Sequence, residues 1–163
     1  MTLNIASYSD DERARLLSTF AQTPFVLRCG ATVIRCESVE GFWQGLKFPE
    51  GSADRARVFA LWGIDAKRAG AHAPQSAEIE FCGRRVRRGG PDHHALAELA
   101  MRAKLEQNPE VRTALMATRG LRLTHELVDE EGKAVPDSLT LPAAVFCAIW
   151  TKLRDEIEAK RAR

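Results

Sequence analysis

A carboxylate, an amide and an amine fall within one short segment, Ser38-Val-Glu-Gly-Phe-Trp-Gln-Gly-Leu-Lys47, and their spacing decides whether they can act together. Drawn as a helix at about 100° per residue, the segment puts Glu40, Gln44 and Lys47 on an arc about 60° wide. Phe42, Leu46, Val39 and Trp43 occupy the adjoining apolar arc. A carboxylate near a primary amine is the equipment for acid–base or covalent chemistry at a carbon that carries a leaving group. The same strip also fits a solvated helix face, on which a Glu and a Lys interact through water for only about 0.2–0.5 kcal/mol. Gly41 and Gly45 fall together on the remaining face, where each costs about 1 kcal/mol of helix propensity against alanine. Something is therefore expected to pack close to the backbone there.

The frame around this segment is legible from caps, breakers and periodicity. Ser9-Asp-Asp-Glu12 has the capping-box pattern for a first helix that ends before Pro24. Phe25 to Cys29 and Thr32 to Cys36 read as a hairpin turning at Gly30. Ser38 caps a helix expected to run to about Phe48, before Pro49 and Gly51 break it. Asp54 to Trp62 is helical in character, and Asp65 opens a short helix that stops near Gly70.

From Ser76 to Arg88 the alternation of Ile79 and Phe81 predicts strand, followed by an arginine-rich turn and Gly89-Gly90-Pro91. A helix from His94 to Gln107 is next, with Asp92 as its cap, and Asn108-Pro109 caps and opens another that stops at Gly120. Leu121, Leu123, His125 and Leu127 alternate as a half-buried strand. Pro142 opens a last long helix with Val145, Phe146, Ile149, Leu153 and Ile157 inward. The expected fold class is α+β, predominantly helical, as one compact domain over residues 1–163 with short strands and hairpins.

Composition excludes several classes of function. With 24 basic against 22 acidic residues the net charge is +2, too balanced to announce a nucleic-acid-binding domain. Arg84, Arg85, Arg87 and Arg88 do form a local basic cluster, read as a charged hairpin edge. No apolar run is long enough for a bilayer span, and Met1 to Asp10 lacks a basic flank followed by an apolar stretch, so a cytoplasmic protein with no membrane contact is expected. Cys29, Cys36, Cys82 and Cys147 show no C-x-x-C spacing and are expected to be reduced and mostly buried. Asp92-His93-His94 lacks companion ligands at metal-binding spacing, and neither a metal nor a cofactor is expected.

The segment Ser38-Val-Glu40, Gln44 and Lys47-Phe48 resembles the S-V-E-H-x-x-Q-x-x-K-F signature of the NADAR superfamily, N-glycosidases acting on ADP-ribose or ribose-phosphate conjugates. Phe20, Pro24-Phe25 and Gly30 look like that family's approach to the motif. Ala66-Lys67-Arg68-Ala69-Gly70 resembles its A-K-x-L-G element, and Ala103-Lys104-Leu105-Glu106-Gln107-Asn108-Pro109, with Leu115 and Thr118, its A-K-F-x-Q-N-P helix pair. The chain departs from the pattern at three places. Gly41 stands where the signature has histidine, Ala71 where an arginine follows Gly70, and the D-x-W-G element gives way to His125-Glu126 through Leu141-Pro142. A divergent member is the expectation.

The resemblance implies that Glu40 and Lys47 are catalytic. Cleaving an N-glycosidic bond passes through an oxocarbenium-like ribosyl state, which needs a carboxylate near the anomeric carbon and a proton for the departing nitrogen. Lys47 would donate that proton, or trap the ring-opened sugar as a Schiff base if its amine is desolvated. Substrate contacts are expected from Phe20, Gly30, Ser38, Trp43, Gln44, Lys67, Lys104, Gln107 and His125. Lys67 and Lys104 would meet phosphate, and Trp43 a base, with one of Phe42 and Trp43 in the core. Expected partners are an ADP-ribose-type or ribose-phosphate substrate, carried on a metabolite or on nucleic acid. Two other functions fit the residues: a weakened domain that only binds ADP-ribose-like ligands, and a nucleic-acid interaction module using the arginine cluster.

Overall fold

Thr2–Asn4 and Arg122–Thr124 pair as a parallel ribbon, Leu3 opposite Leu123, and the first of these strands carries no signal in the sequence. The computed structural model describes residues 1–163. In chain order the elements are β1 (Thr2–Asn4), α1 (Glu12–Leu17), β2 (Phe25–Cys29), β3 (Thr32–Cys36), α2 (Val39–Gly45), α3 (Ala53–Phe59) and α4 (Gly63–Gly70). They continue as β4 (Glu78–Phe81), β5 (Arg84–Arg87), α5 (Pro91–Gln107), α6 (Pro109–Met116), β6 (Arg122–Thr124) and α7 (Ala143–Arg161). The fold is α+β and predominantly helical, its strands confined to three two-stranded sheets. No helix is long and apolar enough to cross a membrane. Two compact units can be distinguished: Thr19–Asn108, and Met1–Ser18 together with Pro109–Arg163.

In the unit formed by the two chain ends, α7 buries Phe146, Ile149, Leu153 and Ile157. Trp150 on the same helix donates its indole N–H to the Leu17 carbonyl at 3.1 Å. Arg154 reaches carbonyls past the end of α6, Thr118 at 2.7 Å and Leu121 at 3.1 Å, so a buried charge ties down the turn that follows the helix. The cap of α1 is two residues later than the capping box suggests. Asp11 accepts from the Arg13 N–H at 2.9 Å, while the Ser9 hydroxyl is spent on the Asp11 N–H at 3.1 Å.

The unit Thr19–Asn108 is built from two hairpins and four helices. β2 and β3 pair antiparallel with Leu27 opposite Ile34, around a Gly30 at φ 60°. The second hairpin corrects the expected strand and arginine-rich turn. β4 and β5 pair with Ile79 opposite Val86, the arginines lie along β5, and the turn is Cys82-Gly83 with both residues at positive φ, the geometry of a type I′ turn. α5 starts earlier than expected, with Gly90 at the cap position and Pro91 at N1, so Asp92 is not its cap. Asn108 likewise does not serve α6. Its amide donates to the carbonyls of Lys104 and Pro24, both at 2.9 Å, which closes α5 and moors the start of β2.

The cysteines need a second correction. Cys29 at the end of β2 and Cys82 in the β4–β5 turn form a disulfide across 5.4 Å between Cα atoms, whereas Cys36 and Cys147 are free and buried. A separation of 53 residues hides such a pair from any short-range spacing rule.

Candidate functional site

The helix that carries the motif is shorter than expected. Ser38 accepts from the Gly41 N–H at 2.8 Å and donates to the Leu61 carbonyl at 2.9 Å, so one hydroxyl both caps α2 and ties it to the chain beyond α3. α2 closes at Gly45, after which Lys47 N–H and Phe48 N–H bond three residues back, to Gln44 and Gly45. Pro49 follows and cannot continue the ladder. Lys47 therefore stands on a tightened turn just past the helix. Arg55 of α3, only 4% exposed, fixes that turn by donating to the carbonyls on either side of Lys47, Leu46 at 3.0 Å and Phe48 at 2.9 Å. Glu50, 3.6 Å away, pairs its charge.

The strip is not a solvated face. Glu40 and Gln44 are each 8% exposed, and Lys47 is half-buried. Glu40 accepts from the Thr19 hydroxyl at 2.9 Å through one oxygen and from the Gln44 amide at 2.8 Å through the other. The Thr19 carbonyl also accepts from the Glu40 backbone at 3.0 Å, so the carboxylate is aimed by two side chains and a main-chain bond. The Gln44 oxygen is buried without a hydrogen-bond partner and packs on Gly70 of α4, where a Cβ would overlap the amide. A glycine at position 70 is thus what leaves room for the Glu40–Gln44 pair. Lys47 makes no ion pair or side-chain hydrogen bond. Burial holds its amine below the usual lysine range, Arg88 pushes in the same direction, and Glu40 pulls against both.

Trp43 is not free on both faces. Its ring stacks on His93 of α5 with centroids 3.7 Å apart and planes within 5°, while Phe42 packs in the core against Phe25, Phe59 and Phe81. The His93 Nδ1 accepts from the Gly89 N–H at 2.9 Å, which puts the ring hydrogen on Nε2, a buried donor without a partner. Burial first, then His94, Arg88 and Lys47, depress His93 from 6.5 to about 3. The sign of the consequence follows. The unfolded chain takes up a proton near 6.5 that the native ring refuses, so this contribution to stability is complete above 6.5 and is lost as pH falls toward 3. The urea midpoint should drop between about pH 7 and about pH 4.5, and the drop should shrink in His93→Phe, which keeps the stack but cannot titrate. Equal drops in both proteins would refute it.

The remaining expected contacts divide. Lys104 is fully buried on α5, and Phe20 is half-buried with its carbonyl accepting from the Gly63 N–H at 3.1 Å. Gln107 spends its amide on β2, accepting from the Val26 N–H at 2.8 Å and donating to the Val26 carbonyl at 2.9 Å, as a neighbouring strand would. Gly30 is an exposed turn with nothing within 4 Å of a built Cβ, and Lys67 is exposed on α4. His125 belongs to the other unit, where its Nδ1 lies 2.7 Å from the Ile5 carbonyl and its ring tilts onto Phe146. Nothing in the sequence signals Thr19, while Arg88 and His93 stand out there only within the arginine cluster and the Asp92-His93-His94 run. Thr19 and Arg88 stand outside the helical spacing that marks the strip, and Trp43 alone pointed toward an aromatic neighbour. A cavity of about 480 Å3 lies elsewhere in the same unit, lined by β3, α3 and the disulfide, and includes neither Glu40 nor Lys47. The buried carboxylate and the depressed amine, rather than that cavity, mark the candidate site.

This α+β, mainly helical fold has a solved counterpart in the E. coli protein YbiA. The two share a fold at TM-score 0.67 and 20% identity, the likeness covering 99% of this chain and 88% of that one. Residues 12–155 match the bacteriophage protein GP30.3 family, and the chain belongs to that family. No curated protein sequence matches it.

Proposed function

We propose that this protein is an N-glycosidase that hydrolyses the bond between ribose and a nucleobase in an ADP-ribosylated base of the guanosine type, or in a related ribose-phosphate conjugate. The observation that carries the reading is the state of Glu40 and Lys47: a buried carboxylate aimed by Thr19 and Gln44, beside a half-buried amine held below its usual range. The NADAR-like motif on which they stand, and the fold shared with YbiA, support the same reading.

In this scheme the C–N bond breaks with its electron pair leaving on nitrogen, which must be protonated, and water oxygen adds to the anomeric carbon after losing a proton. Glu40, ionised, stabilises the positive ribosyl carbon and is the base nearest the incoming water. Lys47 supplies the proton to nitrogen when charged. When neutral, its amine adds to the aldehyde of the opened sugar and expels water, giving a Schiff base. Burial, by holding the amine below its usual range, favours the second role. The partner would be an ADP-ribose-type substrate, free or carried on nucleic acid.

The test is to incubate the protein with ADP-ribosylated guanosine and follow released ADP-ribose by mass spectrometry, beside Lys47→Ala. Turnover by wild type with a loss of at least about 100-fold in the variant is expected. Borohydride should trap sugar on wild type alone if the Schiff base forms. Binding without release would instead select a domain that only holds ADP-ribose-like ligands, the second reading, which the missing D-x-W-G element favours.

A further inference from the structure

A run of contacts joins the disulfide to the turn that carries Lys47. Cys82 stands in the β4–β5 turn at φ 51°, a backbone state that a residue with a side chain keeps where its surroundings impose it, and the bond to Cys29 imposes it here. The next residue, Gly83, donates its N–H to Glu50 Oε1 at 2.9 Å. Through its other oxygen Glu50 faces Arg55 Nη1 at 3.6 Å. Arg55 in turn donates Nη2 to the Leu46 carbonyl at 3.0 Å and Nε to the Phe48 carbonyl at 2.9 Å, the two carbonyls that flank Lys47. Cys29, Cys82, Glu50 and Arg55 all line the cavity of about 480 Å3, so the path follows the wall of one hollow. Each contact depends on the one before it. The Gly83 N–H is the hydrogen bond that aims the exposed Glu50 carboxylate, and without that anchor an ion pair at 3.6 Å holds little in competition with water. Arg55 is 4% exposed, and a buried guanidinium that loses its counter-charge is drawn toward water and away from the carbonyls it holds.

We propose that the Cys29–Cys82 bond is a redox latch on Lys47: oxidised, it holds the turn 46–48 in place through Gly83, Glu50 and Arg55, and reduced, it lets that turn open. The sulfurs are within reach of a reagent, since Cys82 is exposed and Cys29 half-buried, and exposed disulfides are the reducible ones. Cys36 and Cys147, both buried, offer no competing thiol. A dithiol reductant carries out the step. Its thiolate attacks one sulfur, the Cys29–Cys82 bond breaks as a mixed disulfide forms, and its second thiol displaces the remaining cysteine. Two electrons and two protons end on Cys29 and Cys82, and the reductant leaves as its own disulfide. The hairpin keeps its ladder, Ile79 opposite Val86, while its turn is free to move off Glu50. Glu50 and Arg55 are positioning residues in this scheme, for neither touches the reacting atoms. Control of catalysis by the latch rests on the glycosidase reading, whereas the latch itself does not.

Amide hydrogen exchange reads the latch without turnover. The N–H groups of Lys47 and Phe48 close the turn on the Gln44 and Gly45 carbonyls, at 3.2 and 3.0 Å, and exchange when it opens. Reduction of the intact protein by dithiothreitol should speed exchange at these two amides at least about tenfold, and leave Ala100 and Met101 in the middle of α5 within about twofold. Glu50→Ala should exchange fast at both amides while still oxidised and gain little more on reduction. Glu50→Gln, whose amide oxygen still accepts from Gly83 but brings no charge to Arg55, should fall between. Release of ADP-ribose from ADP-ribosylated guanosine should drop about tenfold in kcat under dithiothreitol and return on reoxidation. Equal exchange at Lys47 and Phe48 in oxidised and reduced wild type overturns the latch, and that comparison decides the matter if Glu50→Ala does not fold. A redox effect undiminished in folded Glu50→Ala overturns it as well, because the path then bypasses Glu50. So does exchange that rises through α5 and α7 together, which would make the bond a staple of the whole fold. A redox effect at the two amides in a protein that leaves ADP-ribosylated guanosine intact in both states upholds the latch and sinks the glycosidase.

Discussion

Glu40→Gln should lower kcat for release of ADP-ribose by about 100- to 10,000-fold, the range a positioned acid–base group contributes, while leaving the fold in place. The substitution is close to isosteric, and its hydrogen bonds can be redrawn. The new side-chain oxygen still accepts from the Gln44 amide, now at 2.8 Å from the carboxylate, and the Thr19 hydroxyl, at 2.9 Å, turns to accept from the new amide instead of donating. In the proposed glycosidase mechanism, what is lost is the negative charge that faces the ribosyl carbon and the capacity to take a proton from water. Thermal unfolding within a few degrees of wild type, together with the loss of rate, would tie the effect to chemistry. Activity within threefold of wild type would remove Glu40 from the mechanism. Thr19→Val is the informative companion, since it keeps the charge and frees one oxygen of its aim.

The second large effect falls on stability. Gly41→Ala should destabilise the protein by about 2 kcal/mol, and lower Tm by roughly 4–8 °C, because the added methyl meets backbone on the neighbouring segment. A Cβ at position 41 would stand 2.5 Å from the Leu61 carbonyl oxygen and 3.0 Å from that of Val58. Neither can swing aside like a side chain, and the Leu61 carbonyl is the one that Ser38 holds at 2.9 Å. Overpacking of about 1–3 kcal/mol and the loss of a hydrogen bond of about 1 kcal/mol oppose a helix-propensity gain of about 1 kcal/mol, so destabilisation wins. A Gly41→Ala protein as stable as wild type would mean that the Leu61 carbonyl does not press on this face of α2. The face of α2 on which a larger side chain at this position would project is occupied by the backbone that follows α3.

Much of this arrangement is written locally and could be read. The β2–β3 hairpin, the Ser38 cap and the tight packing behind Gly41 and Gly45 all follow from short-range chemistry and stand where expected. What could not be read depends on residues far apart in the chain. Spacing alone fits a solvated strip as well as a buried one, because the burial of Glu40 is decided by Thr19 and that of Gln44 by Gly70. Arg88 reads as one more charge on a hairpin edge, since nothing in the run of arginines tells the half-buried one past β5 from the three exposed ones on the strand. The turn itself was misplaced for a similar reason. Cys82 does not advertise a positive φ as asparagine would, and the partner that holds it there is Cys29.

That bond turns part of the chain into a closed ring. Residues 29 to 82 are joined end to end through sulfur, and the ring contains α2, α3 and α4, hence Glu40, Gln44, Lys47, Arg55 and Gly70, while Arg88 and His93 lie on the tail outside it. A single peptide cut within the ring leaves one covalent molecule rather than two fragments. Pulled from its termini, the oxidised chain can never reach its full contour, because the enclosed stretch is bypassed by one sulfur–sulfur link. The two stacked rings of the site therefore belong to topologically different parts of the molecule: Trp43 lies inside a loop that cannot be drawn out, His93 on a stretch of chain that can.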